Sequence, residues 1–257
     1  MRAHVLIVDA LNLIRRVDAA RRDHVTGSGA GSSVEACAQS LSRALNECAP
    51  SHAMCVFEGK GSSFRAAIYP GYKAGRAPMP PDLEESLPEI REAFLGLGVP
   101  SIEVDAVEAD DIVATLAAKI EAGNLPATIL STDKIFLQLL SDRIRVRDHF
   151  GKKDLDHAYV VEKFQVRSDQ LVDLLALAGD PTNSVPGVPS VGRKTAAKLL
   201  QEYGTLENIL SHAPQIRGRL GRVILEHKDN ALLYRKLMRL KKDIDLGLNL
   251  RSFRYRR

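Results

Sequence analysis

Short apolar runs that end in a carboxylate recur along the first part of the chain: His4-Val5-Leu6-Ile7-Val8-Asp9, Met54-Cys55-Val56-Phe57-Glu58 and Thr128-Ile129-Leu130-Ser131-Thr132-Asp133. Ser101-Ile102-Glu103-Val104-Asp105 is a fourth. Runs of this length read as buried parallel strands. Between them lie stretches with helical spacing, Val34 to Cys48, Leu83 to Leu97 and Glu108 to Glu121, the last with Ile112, Leu116 and Ile120 four residues apart. This alternation predicts an α/β fold, a parallel sheet with helices on both faces. Ligands of such sheets bind beyond the carboxyl ends of the strands, so Asp9, Glu58 and Asp133 are expected to converge.

Strand signals stop at about Tyr159, and Ser168 to Ala178, Lys194 to Tyr203, Thr205 to Ser211 and Gly221 to Leu240 have helical patterns. Two domains are expected, an α/β domain over 1–158 and a helical one over 159–257. Ala66 to Pro81, rich in Gly, Pro, Lys and Arg, is expected to be a mobile loop or short-helix arch over the sheet edge.

The halves differ electrically. Residues 1–150 carry 16 Lys+Arg against 20 Asp+Glu, net −4, whereas 151–257 carry 20 against 12, net +8. An acidic half joined to a basic half suits a metal centre beside a polyanion-binding surface, although a basic face is more often only a solvated one. With 45% hydrophobic residues, disorder is not expected. Apolar runs such as Leu171 to Gly179 are too short to cross a bilayer, and the start lacks the order of a signal peptide, so no membrane association and a cytoplasmic location are expected. Cys37, Cys48 and Cys55 form no C-x-x-C pair and read as reduced, buried fillers.

Glu108-Ala109-Asp110-Asp111 places three carboxylates within four residues at a helix start. Acids there can simply complement the helix dipole. Facing Asp9 and Glu58 across one crevice, they would instead repel unless a cation or a proton intervened, and all-oxygen ligands select Mg²⁺ or Mn²⁺ over zinc. Tyr69-Pro70-Gly71-Tyr72-Lys73-Ala74-Gly75-Arg76 mixes rings and cations. It reads either as a solvated loop whose tyrosines pack on its own backbone or as a site where a ring stacks on an unpaired base and Lys73 and Arg76 meet phosphate.

Gly187-Val188-Pro189-Ser190-Val191-Gly192-Arg193-Lys194-Thr195 is not a P-loop, because Arg193 separates Gly192 from Lys194-Thr195, no strand precedes it and Pro189 removes an amide. It reads as a helix-hairpin-helix turn whose amides, with Arg193 and Lys194, hold a DNA phosphate without reading bases. A plain helix-loop-helix connection is the alternative.

In this order, IVDALNLI, FRAAIYPGYKAGR, EADD, STDK and LLALAGDPTNSVPGVPSVGRKTAAKLL resemble the bacterial 5′-nuclease (flap endonuclease) family over nearly the whole chain. VDALNLIRR and STDK look most like its exonuclease IX branch, the Xni-type flap endonucleases. The resemblance implies a Rossmann-like, PIN-like nuclease domain with a helical H3TH domain, acting as a structure-specific endonuclease on branched DNA with a 5′ single-stranded flap, and here expected to be a monomer. It implies a Mg²⁺ site, with Mn²⁺ as a possible substitute, formed by Asp9, Glu58, Glu108, Asp110 and Asp111, with Glu58 where the family usually has aspartate. Tyr72, Lys73 and Arg76 match arch residues that position the single strand and the scissile phosphate. Backbone carbonyls of Leu177, Ala178, Pro186, Val188 and Val191 map to a K⁺ site, and Ser190, Val191, Gly192, Arg193, Lys194 and Thr195 to DNA contacts.

Two departures stand out. Ile135 and Asn183 occupy positions where the family usually presents aspartates, which leaves Asp133 and Asp180 as the remaining acids of a second metal site, a depletion shared with exonuclease IX-like proteins. The rival reading is a branched-DNA-binding protein of the same fold with little or no nuclease activity. A ribonuclease of the related single-domain class gives no reason for the hairpin.

Overall fold

The computed structural model describes residues 3–24 and 32–256. In chain order the elements are β1 (Val5–Asp9), α1 (Ala10–His24), α2 (Ser33–Cys48), β2 (His52–Val56), α3 (Phe64–Ile68), α4 (Pro81–Glu85), α5 (Leu87–Gly96), β3 (Ser101–Ile102), α6 (Ala109–Ala122), β4 (Ala127–Leu130), β5 (Ile144–Asp148) and β6 (Lys153–Asp154). Helices follow: α7 (His157–Phe164), α8 (Leu171–Ala178), α9 (Arg193–Tyr203), α10 (Leu206–His212), α11 (Arg219–Glu226) and α12 (Lys228–Met238).

The residues form two compact units, one of 1–61, 78–154 and 241–257, the other of 62–77 and 155–240. Their bounds differ in two places from the division expected at residue 158. Residues 62–77, which take in most of the stretch 66–81 expected to form an arch, belong to the helical unit, and the C-terminal 241–257 returns to the sheet unit, where the Tyr255 amide donates to the Ser51 carbonyl at 2.9 Å and Arg254 bridges to His52.

In the sheet unit the strand order is β3-β2-β1-β4-β5-β6, parallel except for β6, which runs antiparallel to β5. The centre of the sheet is apolar on both faces. Leu6, Val8, Ala53 and Cys55 pack with residues of α1, α2 and α5 such as Ile14, Leu41 and Phe94, whereas Met54 points the other way, to Leu116 and Ile120 of α6. The register pairs Asp9 with Val56 and Val8 with Leu130, so β1, β2 and β4 end at one level of the sheet. That level is where the acids follow. Cys37 and Cys55 are buried and Cys48 half-buried, and all three are free thiols. Burial pushes the Cys37 thiol up to about 12, which keeps it protonated and inert.

The helical unit is built on α8, whose Leu171, Leu174 and Leu177 are fully buried. Among the described residues no helix is long and apolar enough to cross a membrane.

Candidate metal centre

Asp9 closes β1 and lies almost wholly inside the protein, at 8% exposure. Its Oδ1 accepts from the Asn12 amide at 3.2 Å and its Oδ2 from Ser131 Oγ at 2.8 Å. Burial pushes the carboxyl up to about 6; those two hydrogen bonds pull it down, and the charges of Asp133 and Glu58 push it further up. Three acids at the strand ends thus sense one another, and ionised Asp9 is short of positive charge.

The Ser131 hydroxyl also accepts from the Asp133 amide at 3.1 Å, and Asp133 caps the following 3₁₀ turn by accepting from the Ile135 amide at 2.9 Å. Asn12 Oδ1 accepts from both the amide and the hydroxyl of Thr132, each at 3.1 Å. Asn12, Ser131 and Thr132 therefore fix Asp9 and Asp133. Sequence reasoning gave none of the three a role, although they stand inside the quoted VDALNLI and STDK segments; their small polar side chains beside the acids were the available signal.

Glu58 lies beyond β2 and is exposed, and its Oε2 accepts from the Ala109 amide at 3.1 Å, at the start of α6. Glu108 is buried at the N-cap of that helix, Asp110 is half-buried and Asp111 is buried with its Oδ1 accepting from the Lys241 amide at 2.9 Å. Both readings of the EADD segment are thus present in part: acids gather at a helix start, and they do so beside the strand-end acids.

The expected convergence is looser than the spacing implied. Among the described residues, no three His, Cys, Asp or Glu side chains close into one coordination shell. Glu58 is turned to the first amide of α6 and Asp111 to the returning C-terminal segment. The donor set is nevertheless all oxygen, which fits a hard cation that keeps several waters and rests on one or two carboxylates, as Mg²⁺ does.

In the helical unit, residues 69–76 are folded rather than loose. Lys73 sits in the left-handed region, φ 58°, with its amide donating to the Asn183 carbonyl at 2.9 Å, and the Gly75 amide donates to Ser184 Oγ at 3.1 Å. Tyr72 is buried at 8% exposure, with Lys73 Nζ 5.2 Å from its ring centre, so its face is covered by its own neighbour rather than presented for stacking; Arg76 is exposed. The base of the segment is held by Arg65, a buried arginine that the sequence did not single out, whose guanidinium donates to the carbonyls of Leu237 at 2.7 Å and Arg239 at 2.9 Å.

Asp180 is buried, its Oδ2 accepting from Asn183 Nδ2 at 2.8 Å, and its backbone pairs with Val185. Around it the chain crosses itself at two left-handed glycines, Gly179 and Gly187. A Cβ on Gly187 would stand 2.3 Å from the Gly179 nitrogen, and one on Gly179 would stand 2.5 Å from the Pro186 oxygen. This crossing brings Ala178 and Pro186 together, and the Val188 amide donates to the Leu177 carbonyl at 2.8 Å. The Val191 amide donates to the Val188 carbonyl, Ser190 is left-handed at φ 65°, and α9 starts after Gly192 with no side-chain cap. Arg193 and Lys194 are exposed and Thr195 half-buried.

Known proteins match nearly the whole chain. A family model described as the 5′-3′ exonuclease N-terminal resolvase-like domain matches residues 4–165, and one described as the 5′-3′ exonuclease C-terminal SAM fold matches 166–257. The flap endonuclease Xni of Aeromonas hydrophila is 42% identical over 99% of this chain and 96% of its own, and that of Cronobacter sakazakii 40% identical over 99% of each. Among solved structures, a bacteriophage T5 flap endonuclease in a pseudo-enzyme-product complex with DNA and metal ions superposes with a TM-score of 0.77 at 20% identity, covering 91% of this chain and 88% of that one. At that identity the likeness is one of fold.

Proposed function

This chain belongs to the 5′-3′ exonuclease family, alongside the Xni flap endonucleases, and from that premise we propose that it is a structure-specific flap endonuclease hydrolysing phosphodiester bonds in branched DNA that bears a 5′ single-stranded flap. The observation that carries the reading is buried Asp9, pushed up to about 6 among Asp133 and Glu58 at the ends of parallel strands.

Asp9, Glu58, Glu108, Asp110 and Asp111 are the proposed holders of a divalent cation, Mg²⁺ with Mn²⁺ as substitute, and Asp133 and Asp180 are further acids that can lean on an ion through water. The cation, when bound, supplies an activated water and neutralises charge on the attacked phosphate. The residues themselves orient. Ser131 and Asn12 hold Asp9 in one rotamer, and Glu58 ties its carboxylate to the start of the helix that carries Asp110. Lys73 and Arg76, with Tyr72 supporting Lys73, are the proposed phosphate-positioning groups. Ser190 to Thr195 take the duplex backbone. The carbonyls of Leu177, Ala178, Pro186, Val188 and Val191 take K⁺, which the glycine crossing favours because it packs backbone oxygens where a Cβ would stand. A monomer in the cytoplasm fits this role.

The test is cleavage of a labelled 5′-flap DNA and of its RNA counterpart in Mg²⁺, by the wild-type protein and by Asp110→Asn. Cleavage of the DNA, lost in the variant while flap affinity in EDTA is kept, is the expected result. Binding without cleavage in either Mg²⁺ or Mn²⁺ would instead favour the binding-only reading, and wild-type rates in Asp110→Asn would sink the metal assignment.

A further inference from the structure

The helical unit contains a second helix-turn-helix after the hairpin. α10 leads through a 3₁₀ turn at Ala213–Gln215 into α11. The two turns share a pattern: α9 starts at Arg193 directly after Gly192, α11 starts at Arg219 directly after Gly218, and both glycines have open space where a Cβ would stand. The second turn is rigidly built. Val223 and Ile224 are buried, and Gly221 lies so close beneath the preceding turn that a Cβ there would come within 2.2 Å of the Ala213 oxygen.

This framework displays Arg217, Arg219 and Arg222 to solvent, the last two three residues apart on one helix face. The ion pairs of the unit lie elsewhere, Arg235 with Asp173 and Glu207 and Arg167 with Asp169, and among the described residues no ion pair includes any of the three arginines. Three exposed cations within six residues of a rigid turn suit a chain of regularly spaced anions. Guanidinium forks match phosphate oxygens in pairs.

We propose that Arg217, Arg219 and Arg222 form a second contact with the phosphate backbone of duplex DNA, distinct from the hairpin residues Ser190 to Thr195. The inference rests on the DNA-binding reading above but not on catalysis, so it is tested in EDTA by titrating labelled duplex and flap DNA across a range of salt. Replacing all three with glutamate is expected to weaken binding roughly tenfold or more and to flatten the dependence of log Kd on log salt by about two to three units. Replacing all three with lysine should keep most of the slope, because the charges remain. Combined with Lys194→Ala, the glutamate set should lose affinity multiplicatively, as independent contacts do. A glutamate variant that keeps the wild-type circular dichroism and melting temperature yet binds with wild-type affinity and slope would overturn the proposal. So would a combined variant no weaker than Lys194→Ala alone, or a lysine variant as weak as the glutamate one. Wild-type protein that binds DNA in EDTA but cleaves no flap would count against the nuclease reading and leave this contact standing.

Discussion

Ser131 Oγ donates to Asp9 Oδ2 at 2.8 Å while accepting the Asp133 amide at 3.1 Å, so one hydroxyl from the loop after β4 stabilises the ionised form of the acid that closes β1. Removing it as Ser131→Ala deletes an interaction that favours the charged carboxylate, and the Asp9 value should move further up from about 6. The acid limb of the pH–cleavage profile should then shift to higher pH, and the Mg²⁺ concentration for half-maximal cleavage should rise, because protons compete better with the cation. An unchanged acid limb would show that Asp9 does not titrate in the active range.

The same carboxylate makes a stability prediction. Its folded-state value of about 6 lies above the ordinary 3.8, so its contribution to stability is fully present below about 3.8 and is lost as pH rises through about 6. A shift of roughly two units corresponds to about 3 kcal/mol. In EDTA, Asp9→Asn should therefore be more stable than wild type at pH 7.5, by up to about 3 kcal/mol in urea unfolding, with the difference shrinking towards pH 4. Saturating Mg²⁺ should stabilise the wild type and not the variant. A variant less stable than wild type at pH 7.5 in EDTA would contradict the unrelieved burial of this charge.

The strands that carry the acids were legible because β1, β2 and β4 are uninterrupted apolar runs. β5 was not, because Arg145 and Arg147 alternate with buried Ile144 and Val146 and break the run. The periodic stretches Leu83 to Leu97 and Gly221 to Leu240 each proved to be two helices, interrupted at Ser86 and at His227, where periodicity alone gives no stop. The acids could be named from type and position. Much of what pins them could not, since it includes hydrogen bonds between residues far apart in the chain, such as Asp9 to Ser131 and Asp111 to the Lys241 amide. The segment 69–76 stood out by composition, yet its anchoring by Arg65 and Asn183 needs the fold.

At the hairpin, Lys194→Ala should lower affinity for every duplex sequence alike and reduce the salt slope by roughly one unit. A loss confined to some sequences would mean that bases are read there. K⁺ should strengthen duplex binding more than Li⁺ at equal ionic strength. Gly187→Ala, whose Cβ would collide with the Gly179 backbone at a left-handed φ of 78°, should remove that ion preference and cost about 3 kcal/mol or more in stability. Equal effects of the two ions on wild type would argue against the carbonyl site.

Asn183 stands where the family usually presents an aspartate, and its Nδ2 donates to Asp180 Oδ2 at 2.8 Å, both side chains being buried. Its carboxamide therefore gives Asp180 a hydrogen-bond donor where the resemblance implies a second acid. Asn183→Asp exchanges that donor for a second carboxylate facing the first, losing a charge-assisted hydrogen bond and adding like-charge repulsion of up to about 4 kcal/mol at close range. Metal-free Asn183→Asp should be destabilised by about 3 kcal/mol at pH 7.5, less so at pH 5 where one proton can be shared between the acids, and Mn²⁺ or Mg²⁺ should restore part of the loss. Because the Asn183 backbone carbonyl also holds the Lys73 amide, displacement of this turn by the repelling acids should raise KM for flap DNA in low Mn²⁺ and recover as Mn²⁺ increases. Ile135→Asp is a different case: that side chain is 4% exposed beside fully buried Phe136, and a charge there should cost several kcal/mol whatever the metal. If Asn183→Asp is as stable as wild type in EDTA and its melting temperature ignores Mn²⁺, then the Asn183–Asp180 pair is not what stands in for a cation at this position.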